Sequence, residues 1–179
     1  MSFKDLNLSI EILKSIEKKG YIEASPIQKK AIPLILEGYD LLAGAQTGTG
    51  KTAAFSLPIL NKIATSKKNN QLRKIKSLIL APTRELAVQV ANNIINYAEN
   101  LNFKIETIYG GSSINVQKSR LKKGADIIVA TPGRLLDLLQ QKTISFKSLE
   151  ILVLDEADRM LDMGSVSYTH LTLPTILLV

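Results

Sequence analysis

The run Ala45-Gln46-Thr47-Gly48-Thr49-Gly50-Lys51-Thr52 constrains this chain more than any other segment. It follows an aliphatic stretch ending near Ala43 and precedes a segment of helical spacing that opens Ala53-Ala54-Phe55. A strand, a glycine-rich turn and a helix in that order turn backbone N–H groups inward around an anion, and the helix start adds partial positive charge. Glycine suits the turn because it needs backbone angles that a Cβ opposes. Gln46, Thr47, Gly48, Thr49 and Gly50 are therefore expected to cradle nucleotide phosphates. Lys51 should reach the β- and γ-phosphates, and the Thr52 hydroxyl should coordinate magnesium. Ala45 stands where the strict pattern has glycine, but the rest of the pattern and its setting are intact. A purely structural turn has no need of the Gly-Lys-Thr triplet.

Short aliphatic or β-branched runs recur at residues 40–43, 77–80, 105–109, 126–130 and 151–154. Between them lie apolar residues at helical spacing, such as Leu86, Val90, Ile94 and Ala98, or Leu135, Leu136, Leu138 and Leu139. This alternation predicts an α/β fold, a parallel sheet with crossover helices on both faces. The 179 residues suit one such domain. Ligands of these sheets sit at the carboxyl ends of the strands. Every motif with chemistry in this chain falls directly after one of the runs.

After the run at 151–154 comes Asp-Glu-Ala-Asp, residues 155–158. An aspartate there can orient magnesium through water, and an adjacent carboxylate can accept the proton of an attacking water. Carboxylates at a helix start are also ordinary caps. The upstream phosphate loop favours the chemical reading. Other metal chemistry is narrow: with no cysteine and one histidine, thiolate sites, disulfides and imidazole clusters are excluded, so oxygens must hold any metal.

The net charge of +7 is compatible with a polyanionic partner but proves none. Its densest basic stretch, Lys67, Lys68, Arg73, Lys74 and Lys76 around Asn69, Asn70 and Gln71, reads first as a solvated loop. No apolar run approaches the roughly 18 residues that span a bilayer. The opening residues mix acids among apolar ones, unlike a secretory signal. No membrane partner is expected, and the cytoplasm is the expected location.

Taken together, five motifs resemble DEAD-box RNA helicases. They are AQTGTGKT (45–52), PTRELA (82–87), Gly110-Gly111, TPGR (131–134) and DEAD (155–158), in the family's order and approximate spacing. Gly20-Tyr21 and Ser25-Pro26-Ile27-Gln28 resemble the family's adenine-reading Q motif, which places the Q motif region at 1–28. The likeness runs from Ser2 to Gly164. It implies a RecA-like P-loop domain over 1–164, incomplete at its C-terminal end, that uses ATP and magnesium. By position, Gln28 reads adenine beside Tyr21, Lys51 and Thr52 contact phosphate and magnesium, Asp155 is the magnesium partner and Glu156 the general base. A carboxamide offers one donor and one acceptor, which matches the N6 and N7 edge of adenine. Asp158 would couple nucleotide state to a later Ser-Ala-Thr motif. Phe3 stands where the family stacks an aromatic on adenine, and core packing is the rival reading.

The resemblance also implies an RNA surface. Pro82, Thr83, Arg84, Gly110, Gly111, Thr131, Pro132, Gly133 and Arg134 follow strands at one sheet edge. The arginines can contact phosphate, the glycines allow close approach, and hydroxyls and amides can bond phosphate and 2′-hydroxyl groups. None of these supplies base-edge readout, so binding should be independent of sequence and sensitive to salt. A non-enzymatic ATP- and RNA-binding module is the alternative from another class. A P-loop enzyme unrelated to nucleic acid leaves PTREL and TPGR unexplained.

The likeness breaks after Met163-Gly164, where the family continues with Phe, a helix, a strand and Ser-Ala-Thr, then a second RecA-like domain carrying arginine fingers. Residues 165–179 carry no charge at all. A back-translation of 165–175 resembles a transposase adaptor used in sequencing libraries, whose later constant region would encode Val179 and a stop. The tail at 165–179 is therefore expected to be non-native and to leave strand edges uncovered. Alternation of Val166, Tyr168 and His170 with Ser167 and Thr169 also allows a strand there, and gives His170 no site role.

Overall fold

Strand and helix periods decide where each element of the chain lies. The computed structural model describes residues 2–44, 48–66, 73–162 and 176–178. A 3-10 turn, Phe3–Leu6, opens the chain, followed by α1 (Ile10–Lys18), α2 (Pro26–Glu37), β1 (Leu41–Leu42) and α3 (Lys51–Ser66). Three strand–helix units follow: β2 (Ser77–Leu80) with α4 (Arg84–Tyr97), β3 (Ile105–Ile108) with α5 (Ile114–Lys122), and β4 (Ile127–Ala130) with α6 (Pro132–Gln140). The described chain closes with β5 (Ile151–Leu154), α7 (Ala157–Asp162) and β6 (Ile176–Leu178).

All strand pairs are parallel, in the order β1-β6-β5-β2-β4-β3. Side chains alternate across a strand, and the core divides accordingly. Ile79, Ile127, Val129, Ile151 and Val153 pack with residues of α1 to α4 on one face. Leu78, Leu80, Ile128, Ala130 and Leu152 face the other side, with Leu135 and Leu138 of α6 and Met160 of α7. The sheet is therefore covered on both faces, as the alternation predicts.

Three strands are shorter than their aliphatic runs, for local reasons. Tyr109 leaves the β3 ladder because its carbonyl accepts a bond from Gln117 Nε2 at 2.9 Å. Asp126 stands before β4 because its carboxylate accepts the Lys104 N–H at 2.7 Å and pairs with Arg73. Asp40 and Ala43 lie outside the two-residue β1. At the far end the structure corrects an expectation, because the tail does not leave the sheet uncovered. Ile176–Leu178 runs between β1 and β5, with Leu177 in register with Leu41 and Val153. A three-residue strand satisfies both neighbouring backbone ladders, which is what edge N–H and C=O groups demand. The expected alternation over Val166, Tyr168 and His170 lies outside the described residues.

Among the described residues no helix is long and apolar enough to cross a membrane.

Candidate active site

Consecutive parallel strands deliver their following loops to one edge, and the chemistry gathers there. Gly48 and Gly50 have φ of 81° and 88°, and α3 begins at Lys51 immediately after. Gly50 has no room for a side chain: a Cβ would come within 2.4 Å of Gln28 Nε2. The close approach reflects a hydrogen bond, since Gln28 Nε2 donates to the Gly50 carbonyl at 3.1 Å. Gln28 Oε1 accepts the Ser25 N–H at 2.8 Å, closing the capping box that starts α2. Both ends of this carboxamide are thus engaged, and the side chain is only 5% exposed. Each end keeps one further bonding position, a second Nε2–H and a second Oε1 lone pair, with which it can meet an adenine. Gln46 and Thr47 lie outside the described residues, while Thr49 and Thr52 flank the loop and helix start as expected.

The aromatic pair proposed for the adenine end is assembled. Phe3 and Tyr21 stack with ring centroids 6.3 Å apart and an interplanar angle of 19°. Phe3 is buried at 3% exposure, as core packing would have it, and Tyr21 is the exposed partner at 42%. Both also line a cavity of about 280 Å³ with Ser2, Lys4, Gly20 and Ile22.

Beside the phosphate loop, Asp155 and Glu156 follow directly after β5. Asp155 is buried, and its carboxyl is pushed up to about 6 by burial first and by the Glu156 charge second, with Lys51 acting in the opposite sense. Glu156 has φ of 52°, a left-handed conformation rare outside glycine. Such strain costs about 1–3 kcal/mol and gathers at functional sites. Its carboxylate accepts a bond from Arg159 Nη1 at 2.5 Å, one turn further along. Asp158 is exposed in the first turn of α7.

The basic loops converge at the same edge beyond β2. Pro82 is buried, and the Thr83 hydroxyl caps α4 by accepting the Leu86 N–H at 3.3 Å. Arg84 lies with its guanidinium carbon 4.8 Å from the centre of the Tyr109 ring. Gly111, at φ 79°, would place a Cβ 3.7 Å from Arg84 Nη1. Gly110 is exposed. Arg134 donates from Nη1 to the Ser112 carbonyl at 3.0 Å and stands 3.6 Å from Asp137. Thr131 precedes α6 and makes no side-chain cap, and Pro132 occupies the first helical position. The amides of Gly133 and Arg134 are thereby left at a helix start, where anions bind. Tyr109, Gln117 and Arg159 were not singled out from sequence. The one available signal was an aromatic immediately before a glycine pair at a strand's carboxyl end.

The comparisons agree with this arrangement. A sequence profile described as DEAD/DEAH box helicase matches residues 25–176. The chain belongs to the DEAD/DEAH box helicase family. It is similar to the DEAD-box ATP-dependent RNA helicase CshA of Streptococcus pneumoniae, with 52% identity over 92% of this chain and 30% of that protein. It is also similar to the ATP-dependent RNA helicase CshA of Listeria monocytogenes, at 48% identity over 92% of this chain and 31% of that protein. The crystal structure of a DEAD box protein from the hyperthermophile Methanococcus jannaschii superposes with a TM-score of 0.89 at 40% identity, covering 99% of this chain and 49% of that one. The chain thus spans about 30% of the length of the curated relatives it matches. Within the DEAD/DEAH box family the observed fold is the expected RecA-like one.

Proposed function

We propose that residues 1–164 are the nucleotide-binding half of an ATP-dependent RNA helicase, which couples ATP binding and hydrolysis to RNA binding and duplex unwinding. The observation that carries this is a single sheet edge on which Gly50-Lys51, Asp155-Glu156 and the Arg84–Arg134 surface stand side by side. A cytoplasmic setting suits the cysteine-free sequence.

Magnesium fits the donors present. Thr52 and Asp155 offer hard oxygens, and a buried carboxyl raised by desolvation gains from a nearby cation. When bound, it neutralises charge developing on the transferred phosphoryl group. Lys51 contacts the β- and γ-phosphates, and the phosphate-loop amides hold them in place. Glu156 accepts the proton of the attacking water on the carboxylate oxygen that Arg159 leaves open. Gln28 reads adenine with its second Nε2–H and second Oε1 lone pair while it keeps the Gly50 carbonyl and the Ser25 amide, so base recognition and loop geometry are linked through one side chain. Tyr21 and Phe3 flank that end. RNA is held by its backbone on Thr83, Arg84, the Gly110-Gly111 loop and the start of α6. Asp158, exposed beside the site, would transmit nucleotide state to a segment that follows.

Hydrolysis measured with and without RNA tests the reading in the longer protein. RNA should stimulate turnover, Lys51→Ala should nearly abolish it, and Glu156→Gln should still bind ATP while losing turnover. Full turnover by Glu156→Gln would refute the base assignment, and indifference to RNA the helicase reading. The 179-residue chain alone should hydrolyse ATP poorly and unwind no duplex, because an arginine finger contributed by a second RecA-like domain is worth about 10³–10⁵ in rate. Engagement of Glu156 by Arg159 favours a second reading for this chain by itself, that of a module which binds ATP and RNA without turnover.

A further inference from the structure

Arg84 is placed where it does nothing for its own helix. It is the first residue of α4, and a cation at a helix N-terminus opposes the macrodipole. Among the described residues no carboxylate forms an ion pair with it. Yet its guanidinium carbon sits 4.8 Å from the Tyr109 ring centre. Reaching that ring takes a long side chain, because β2 and β3 flank β4 and are two strand spacings, roughly 10 Å, apart. Arg84 therefore lies across the carboxyl end of β4, in front of the loop that opens α6.

The Tyr109 backbone is fixed. Gln117, 5% exposed, donates from Nε2 to the Tyr109 carbonyl and to the Ser112 hydroxyl. Arg134 donates to the Ser112 carbonyl. Gly111 completes the arrangement, since it brings no side chain between the loop and Arg84 Nη1. The strand end thus offers an aromatic side chain, carried on a clamped backbone, to an arginine with no ion pair among the described residues. A cation over an aromatic face is attracted by the ring quadrupole and keeps its N–H donors free at the edge of the plane.

We propose that Tyr109 is a positioning residue that holds the Arg84 guanidinium, by cation–π contact, in the orientation from which it bonds an RNA phosphate. The proposal rests on the RNA-binding reading above for the phosphate contact. The Arg84–Tyr109 contact itself can be tested without RNA.

Single-stranded polyuridine RNA binding to the 179-residue chain, followed by anisotropy over a range of salt, provides the first test. Arg84→Ala should weaken binding about tenfold and lower the salt slope by about 0.7. Tyr109→Leu should weaken it about threefold, while Tyr109→Phe, which keeps the ring, should stay close to wild type. The double variant should bind no more weakly than Arg84→Ala alone. Additive losses, or a Tyr109→Phe defect equal to that of Tyr109→Leu, would overturn the proposal. An Arg84→Ala variant that binds normally would instead sink the RNA reading of this surface. The Arg84 Nε–H proton resonance of the wild-type chain provides the second test. Ring current should move it upfield of its free position, and Tyr109→Leu should return it. An unshifted wild-type resonance refutes the positioning contact whatever RNA does.

Discussion

Asp155 is a carboxyl whose protonated form the folded chain favours, raised from an ordinary 3.8 to about 6, chiefly by burial. The native state therefore binds this proton more tightly than the unfolded chain does. The group's contribution to stability is fully present below about pH 4 and is lost as pH rises to about 6, a change of about 3 kcal/mol. Asp155→Asn removes the titration. Chemical denaturation should show the variant more stable than wild type at pH 7.5 by about 2–3 kcal/mol, with the difference closing towards pH 4. Magnesium-dependent nucleotide binding should move the opposite way, weakening in the wild type below about pH 6 as a proton displaces the cation. Equal stability of the two proteins at pH 7.5 would contradict the burial argument. The placement of Lys51, Thr52, Asp155 and Glu156 at one sheet edge was legible in the sequence, because each motif follows an aliphatic run in a recognisable order. Their partners were not legible. Gln28 with Gly50, Arg84 with Tyr109 and Arg134 with Ser112 are 22 to 25 residues apart in the chain and meet only after the strands are ordered. Glu156 with Arg159 is local, but sequence does not choose between ion pairing and free carboxylate at that spacing.

At the level of elements, the same side chain can serve fold and site together, and Thr83 is the example. Its hydroxyl accepts the Leu86 N–H and so starts α4, the helix that buries Ala87, Val90, Ala91 and Ile94. Thr83→Ala should cost about 1 kcal/mol of stability through the lost cap, and Thr83→Ser should restore most of it. Thermal or denaturant unfolding checks this independently of any RNA effect. If Thr83→Ser recovers stability but not RNA affinity, the methyl group rather than the hydroxyl serves the RNA surface. Strands β2 and β5 were legible to the residue, since a run buried on both faces is almost wholly aliphatic, Ser77 being the one polar residue of the two. Ends governed by side-chain capture, such as Tyr109 by Gln117 and Asp126 by Arg73 and Lys104, were not, because those bonds depend on neighbours from other elements. Strand order was likewise beyond the pattern, which gives alternation but not adjacency.

For the whole molecule, the question is which chain belongs between β1 and β5. Ile176–Leu178 fills that slot here, parallel to both neighbours. The fit carries little information about origin, since the ladder is made by backbone groups and any short aliphatic triplet satisfies it. Composition is more discriminating. Residues 165–179 have no charged side chain, whereas all 23 basic and 16 acidic residues lie in 1–164. We propose that this segment is adaptor-derived and that the natural gene continues from Gly164 with Phe, a further helix and a strand leading to Ser-Ala-Thr. That strand would occupy the place taken by β6 and bring the Ser-Ala-Thr segment within reach of Asp158. Long-read sequencing of the source locus across the Gly164 codon should therefore give Phe as the next residue and Ser-Ala-Thr downstream. A chain rebuilt with that continuation should unfold at higher temperature and aggregate less than the 179-residue form, because its sheet would be closed by residues selected to pack there. Genomic DNA that encodes Ser-Tyr-Thr-His-Leu-Thr-Leu-Pro-Thr at 167–175 would overturn the proposal and make β6 a natural strand.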